Sequence, residues 1–205
     1  MLTIHHLRIG RSIFTVWLLE ELGLDYELKE YLRNPETMRA PPELKQAYPL
    51  GKSPVIDDDG LVLSESGAIT SYLLEKYDRE GKFSPPRDDL RAWAEYMQWL
   101  HYAEGSVFTP LMLKLLALRS GEQQPLLDGF SEPEIALHFG HISSQLGDRA
   151  FILGDSICGA DFGITYMISM AQALGQLEPY PTLAAYLERN KARPAFLRAL
   201  ERAVE

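Results

Sequence analysis

The sequence predicts a two-part fold, an α/β unit of order βαβαββα followed by an all-helical unit. Three observations predict it. Short alternating apolar runs are confined to the first 63 residues; an Asp-Gly turn joins two of them; and after a proline-ended stretch near Pro86 the apolar residues recur only at helical intervals.

Leu2-Thr3-Ile4-His5 alternates and is partly β-branched, so it reads as a strand, with a turn from Arg8 to Ser12. Ser12 is placed to cap a helix whose apolar residues Ile13, Val16, Trp17, Leu19 and Leu22 crowd one face and its edges before Gly23 stops it. From about Asp25 to Leu32, Tyr26 and Leu28 alternate with charges, the period of a half-buried strand. The resulting βαβ unit predicts parallel strands with a right-handed crossover. Pro41-Pro42 suits the opening of a short helix through about Ala47. Val55-Ile56-Asp57 and Leu61-Val62-Leu63 form a hairpin around Asp58-Asp59-Gly60, because Asp-Gly permits the positive backbone angles of a tight turn. A last helix runs from about Ser66 to Tyr77, with Ile69, Tyr72, Leu73 and Tyr77 at helical spacing.

These elements place an α/β domain at 1–78, a linker at 79–87 and an all-helical domain at 88–205. The helical domain draws on four segments: Asp88 to about Arg119, Glu132 to about Leu146, Ala160 to Leu174 and Thr182 to Asn190.

The chain of 205 residues carries 20 basic against 29 acidic side chains, a net charge of -9, with no basic run. Nucleic acid is a poor partner for such a surface, since a phosphate backbone needs a clustered cationic footprint. No apolar run approaches the roughly 20 residues of a membrane span. The start Met1 to His5 lacks a basic segment leading into an apolar stretch, and one cysteine, Cys158, cannot make an intramolecular disulfide. A reducing, cytoplasmic location is expected, with no membrane partner and no metal.

Ser53-Pro54 is the most informative pair. A proline entering a strand removes a ladder donor and can adopt the cis bond that reshapes a turn, although most X-Pro bonds are trans. Glu65-Ser66 follows the hairpin at a helix start, where free amides suit a carboxylate ligand and Glu65 can accept from an ammonium; a plain serine cap explains the same residues.

Pro49-Leu50-Gly51-Lys52-Ser53-Pro54-Val55, the hairpin, and Glu65-Ser66-Gly67-Ala68-Ile69 together resemble the signature of the glutathione transferase family. Trp17-Leu18-Leu19-Glu20-Glu21-Leu22-Gly23 is similar to that family's first helix. The resemblance spans nearly all of residues 1 to 80. It implies a thioredoxin-like first domain with Pro54 as its cis-proline. It further implies glutathione as co-substrate, with the Ser53 backbone on the cysteinyl part, Glu65 and Ser66 on the γ-glutamyl end, and Lys52 near the glycyl carboxylate unless it is a solvated charge. Gly154 to Phe162 resembles the family's capping motif, with Ile157 and Phe162 as a staple and Asp161 reaching back; Cys158 stands where a Ser or Thr would cap and is read as structural.

Transferases of this family favour the glutathione thiolate with a hydrogen bond from a Tyr or Ser near the end of the first strand. Members resembling this chain often read Asn-Asn-Ser-Arg-Ser after His-His-Leu. Here Arg8-Ile9-Gly10-Arg11-Ser12 follows Leu7, and Gly10 replaces the expected serine. Ser12 and Arg11 are the catalytic candidates that remain, beside Arg8 and the amides at the helix start; Ser12 as a cap and the arginines as surface charges are the alternatives. Without a cysteine in the first domain, a mixed-disulfide mechanism is disfavoured.

An apolar electrophile is expected between the domains, against Leu7, Ile9, Tyr102 and Phe108, while Trp93, Tyr96 and Trp99 read as core. The expected activity is conjugation of glutathione to hydrophobic electrophiles, or peroxide reduction with it, by a homodimeric detoxification enzyme. The alternative is a non-catalytic protein of the same fold that binds glutathione or apolar ligands.

Overall fold

The computed structural model describes residues 1 to 203 and divides them into two compact units, one of Met1–Glu80 with the segment from Lys191 onward, the other of Gly81–Asn190. The first unit is built on a four-stranded sheet of order β2-β1-β3-β4, with β1 at Leu2–Leu7, β2 at Glu27–Tyr31, β3 at Val55–Asp58 and β4 at Leu61–Ser64. Strand β1 is buried along its whole length, as a central strand of an apolar sheet should be. It runs parallel to β2, with Thr3 opposite Glu27 and Leu7 opposite Tyr31, and antiparallel to β3, with Ile4 opposite Ile56. The β3–β4 hairpin turns at Asp59 and Gly60, both at positive φ (52° and 91°).

Helix α1 (Ser12–Glu21) is enclosed from Ser12 to Glu20. A short α2 (Leu44–Ala47) precedes Ser53-Pro54, and α3 (Ser66–Tyr77) follows the hairpin. Asp58 ties α3 to the sheet: its Oδ2 accepts from Lys76 Nζ at 2.6 Å, Tyr77 OH at 2.7 Å and Tyr72 OH at 2.9 Å. Burial opposes ionisation of Asp58, but these donors outweigh it and hold the carboxyl below its usual range.

In the second unit, the expected helix from Asp88 to Arg119 is interrupted. Helix α4 (Leu90–Tyr102), capped by Asp89, passes through a π-helical turn at Ala103–Val107 into α5 (Phe108–Ser120). The wide turn lies just ahead of Pro110, which has no amide to give the Ser106 carbonyl. Helix α6 (Pro125–Leu146) begins seven residues before the expected Glu132, because Pro125 occupies its first position and Pro133 is carried inside it. Helix α7 (Gly159–Ala173) and α8 (Pro181–Lys191) match their expected positions within a residue or so.

The sequence pattern assigns everything from 88 to 205 to the helical domain and predicts no helix after Asn190. Instead, α9 (Pro194–Arg202) packs in the first unit against α1. Phe196 meets Trp17 edge-on at 5.3 Å between ring centroids, Arg193 pairs with Glu21, and Arg198 and Arg202 pair with Glu20. These partners are about 175 residues away in sequence, so no local pattern announces them.

Candidate functional site

The Ser53-Pro54 bond is cis. Ser53 Oγ donates to the His5 carbonyl at 2.7 Å and accepts from the Leu7 amide at 3.2 Å. The side chain therefore anchors this loop to β1, and the Ser53 backbone is what remains for a ligand. Pro54 is buried beneath it.

Across the hairpin, Glu65 is exposed at φ 73°, and Ser66 opens α3 half-buried. Glu65 is the residue before the helix but makes no side-chain cap, and Ile69 N closes the first turn on the Glu65 carbonyl at 2.9 Å. The amides of Ser66, Gly67 and Ala68 accordingly meet no backbone acceptor among the described residues, leaving the positive end of a twelve-residue helix open to an anion. The plain-cap alternative for Ser66 is not what forms. Among the described residues, neither Lys52, which is exposed, nor Glu65 nor Ser66 has a side-chain hydrogen bond or ion pair.

Ser12 does not take the capping role expected of it. The residue before α1 is Arg11, half-buried, with helical angles and no side-chain cap, so Ser12 does not cap the helix. Its side chain is fully enclosed: Oγ lies 2.9 Å from His6 Nδ1, accepts from the Leu7 amide at 3.2 Å and lies 3.3 Å from the Leu7 carbonyl. A buried imidazole beside it outcompetes the local capping geometry. Burial holds His6 down to about 4, with Arg8 acting in the same direction and Glu30 against it, so the ring is neutral near pH 7. Arg8, the other cation considered, pairs with Glu30 at 2.6 Å.

Of the expected electrophile contacts on this unit, Leu7 is buried, whereas Ile9 is 62% exposed. Ile9 takes φ 55°, a region that β-branched residues avoid. Arg33, which the sequence reading passed over, holds this loop: Nε donates to the carbonyls of Arg8 (3.0 Å) and Ile9 (3.1 Å), Nη2 to Ile9 (2.8 Å) and Nη1 to Met38 (3.0 Å). A Cβ at Gly10 would stand 2.9 Å from the Leu7 carbonyl and 3.2 Å from Arg33 Nη2, so the expected serine does not fit this backbone.

Tyr102 and Phe108 belong to the second unit. Tyr102 OH lies 2.6 Å from His138 Nδ1, its ring packs edge-on against Trp99, and burial, then the Glu134 charge, push its phenol up. Phe108 is half-buried at the start of α5. Cys158 is buried, its thiol pushed up by burial, and precedes α7 in a capping box with Asp161; it is structural, as expected.

Residues 2–75 match the family model for the glutathione S-transferase N-terminal domain. Glutathione S-transferase 3 of Schizosaccharomyces pombe is 30% identical, over 98% of this chain and 88% of its own length. The chain belongs to the glutathione S-transferase family. Glutathione S-transferase 1 of Saccharomyces cerevisiae is 26% identical over 99% of this family member and 95% of itself. A solved glutathione S-transferase from Actinobacillus pleuropneumoniae shares 37% identity and a TM-score of 0.90, covering 99% of this chain and 93% of that one. A glutathione transferase homologue from Lodderomyces elongisporus, solved with two glutathiones per subunit, has the same fold at a TM-score of 0.82 and 22% identity, over 98% of each chain. The α/β unit is thus the thioredoxin-like domain of this glutathione S-transferase family member, and the second is helical as expected.

Proposed function

We propose that this protein binds glutathione on its thioredoxin-like unit and transfers the glutathione sulfur to an apolar electrophile. One observation carries the reading: Lys52, Glu65 and Ser66, whose side chains have no hydrogen bond or ion pair among the described residues, stand with the open amides of α3 on the same unit as the cis Ser53-Pro54 turn. Those groups fit the peptide by charge. The γ-glutamyl carboxylate would take the Ser66 amide and hydroxyl, its ammonium would take Glu65, the cysteinyl backbone would pair with Ser53, and the glycyl carboxylate would take Lys52.

The reaction class is nucleophilic substitution or addition. The bound thiol gives its proton to water, the thiolate forms a carbon–sulfur bond, and a leaving group such as halide departs where there is one. Reduction of a hydroperoxide by the same thiolate, with a second glutathione completing the disulfide, is the companion activity. On this unit, the exposed Ile9 is the residue proposed to meet the electrophile. A homodimer, a cytoplasmic location and a role in detoxification belong to the same proposal.

Titration calorimetry with glutathione, together with turnover on aryl halides, isothiocyanates and hydroperoxides, tests it. Glu65→Gln and Ser66→Ala are each expected to weaken glutathione about tenfold, the loss of one charge-assisted hydrogen bond. Binding without turnover above the solution rate would favour the second reading, a non-catalytic binding protein, for which Gly10 and the enclosed Ser12 hydroxyl are the specific support. Ser12→Ala is expected to cost about 1–3 kcal/mol of stability and to leave the bound thiol's acidity unchanged.

A further inference from the structure

In the loop between β1 and α1, the carbonyls of Arg8 and Ile9 both face Arg33. Arg33 collects the Arg8 and Ile9 carbonyls from one side and the Met38 carbonyl from its own loop. The Ile9–Gly10 peptide is trans, and in a trans peptide the N–H points opposite to the C=O. The Gly10 amide therefore points away from the guanidinium, and it donates to no described residue. Two further features hold it so. The positive φ of Ile9 sets the peptide plane, and the space that a residue-10 side chain would need is closed by the Leu7 carbonyl and Arg33 Nη2.

Resting on the glutathione-transferring function proposed above, we propose that Arg33 is a positioning residue that presents the Gly10 amide to the glutathione sulfur, in place of the hydroxyl absent at position 10. A backbone N–H held rigidly toward a developing anion stabilises it without reorganising, as in other anion holes built from amides. The planar fork is what the task requires, since one guanidinium spans three carbonyls where an ammonium is a point charge. Thiol ionisation then needs no protein base; the proton leaves to water.

The test compares the parent protein with Arg33→Met and Arg33→Lys. The readouts are glutathione affinity, the ultraviolet thiolate absorbance of the complex against pH, and kcat/KM against pH. In both variants affinity is expected to stay within about threefold while the bound-thiol pKa rises by about one unit, so that kcat/KM falls about tenfold at low pH and converges with the parent at high pH. In the labelled parent protein, the Gly10 amide resonance is expected to move as the bound thiol ionises and to stay still across the same pH range with S-methylglutathione.

An unchanged bound-thiol pKa in Arg33→Met, full rescue by lysine, or a Gly10 amide indifferent to thiol ionisation would each overturn the inference. If the variants fail to fold, the resonance measurement on the parent still decides. A parent protein that does not bind glutathione is a different result, and it removes the proposed function itself.

Discussion

Acidification gives the sharpest test of how the end of β1 is built. His6 is fully buried beside Ser12, and its imidazole is held down to about 4 against 6.5 for an ordinary histidine. A depressed histidine favours folding above its unfolded pKa, and that contribution is lost as pH falls from 6.5 toward 4, because the unfolded chain takes the proton first. Between pH 7 and pH 5 the loss is roughly 2 kcal/mol, approaching about 3 kcal/mol below pH 4. His5 is also depressed, mainly by burial, and adds in the same direction, so the His6 part must be isolated by substitution. His6→Asn keeps an acceptor for Ser12 but has no titration. Urea unfolding at pH 7, 6 and 5 should show stability falling about 2 kcal/mol less steeply in the variant than in the parent. Equal slopes in the two proteins would mean that His6 is protonated in the fold or titrates normally, and the account of Ser12 as its enclosed partner would fail.

Other outcomes follow from the same geometry. Asp161 accepts from Ile152 N, Cys158 N and Tyr186 OH at 3.0, 2.8 and 2.6 Å, so Asp161→Ala strands three buried donors. It is expected to cost about 4 kcal/mol, a fall in Tm of roughly 10 °C by calorimetry, and Cys158→Ser to add about 0.5–1 kcal/mol through a better cap. For Glu20, burial opposes the charge, but hydrogen bonds from Tyr26, Arg198 and Arg202 outweigh it and lower its pKa. Glu20→Gln should therefore cost about 1 kcal/mol at pH 7, since both arginines are partly exposed, with the difference vanishing as acid neutralises the parent's carboxylate. Tyr102 OH lies 2.6 Å from His138 Nδ1, so Tyr102→Phe should cost about 1 kcal/mol of stability, measured by urea unfolding.

What was legible in the sequence is what short-range stereochemistry decides. Asp59-Gly60 announced a hairpin because two consecutive positive φ angles need such residues, and Gly23, at φ 64°, marked the end of α1 for the same reason. The alternation around Leu28 located β2, and the motif around Ser53-Pro54 and Glu65-Ser66 carried the family. What escaped depends on partners distant in sequence. Helix α9 is nine residues long and gains its place from Trp17, Glu20 and Glu21, none of which is near it in the chain. Arg33 looks like one more surface cation until the carbonyls of residues 8 and 9 are brought to it. Ser12 illustrates the opposite error: a serine before a helix reads as a cap, yet a buried histidine six residues earlier takes its hydroxyl inward.

The Leu7 amide links the end of β1 to both α1 and the cis-proline turn. It donates to both Ser12 Oγ and Ser53 Oγ, each at 3.2 Å, so these two hydroxyls fasten α1 and the cis-proline turn to the sheet. Hydroxyls so engaged are poorly placed to serve a sulfur as well, and position 10 offers no side chain. Under the proposed function, polar donation to the sulfur would fall to peptide groups, with Arg33 holding the Arg8 and Ile9 carbonyls. Alanine substitution of the local serines should consequently lower stability while leaving thiol acidity in place. Replacement of a residue that merely holds the backbone should do the reverse. That inversion, read from the same set of variants by unfolding and by thiol titration, separates a backbone-built site from one that depends on a catalytic hydroxyl.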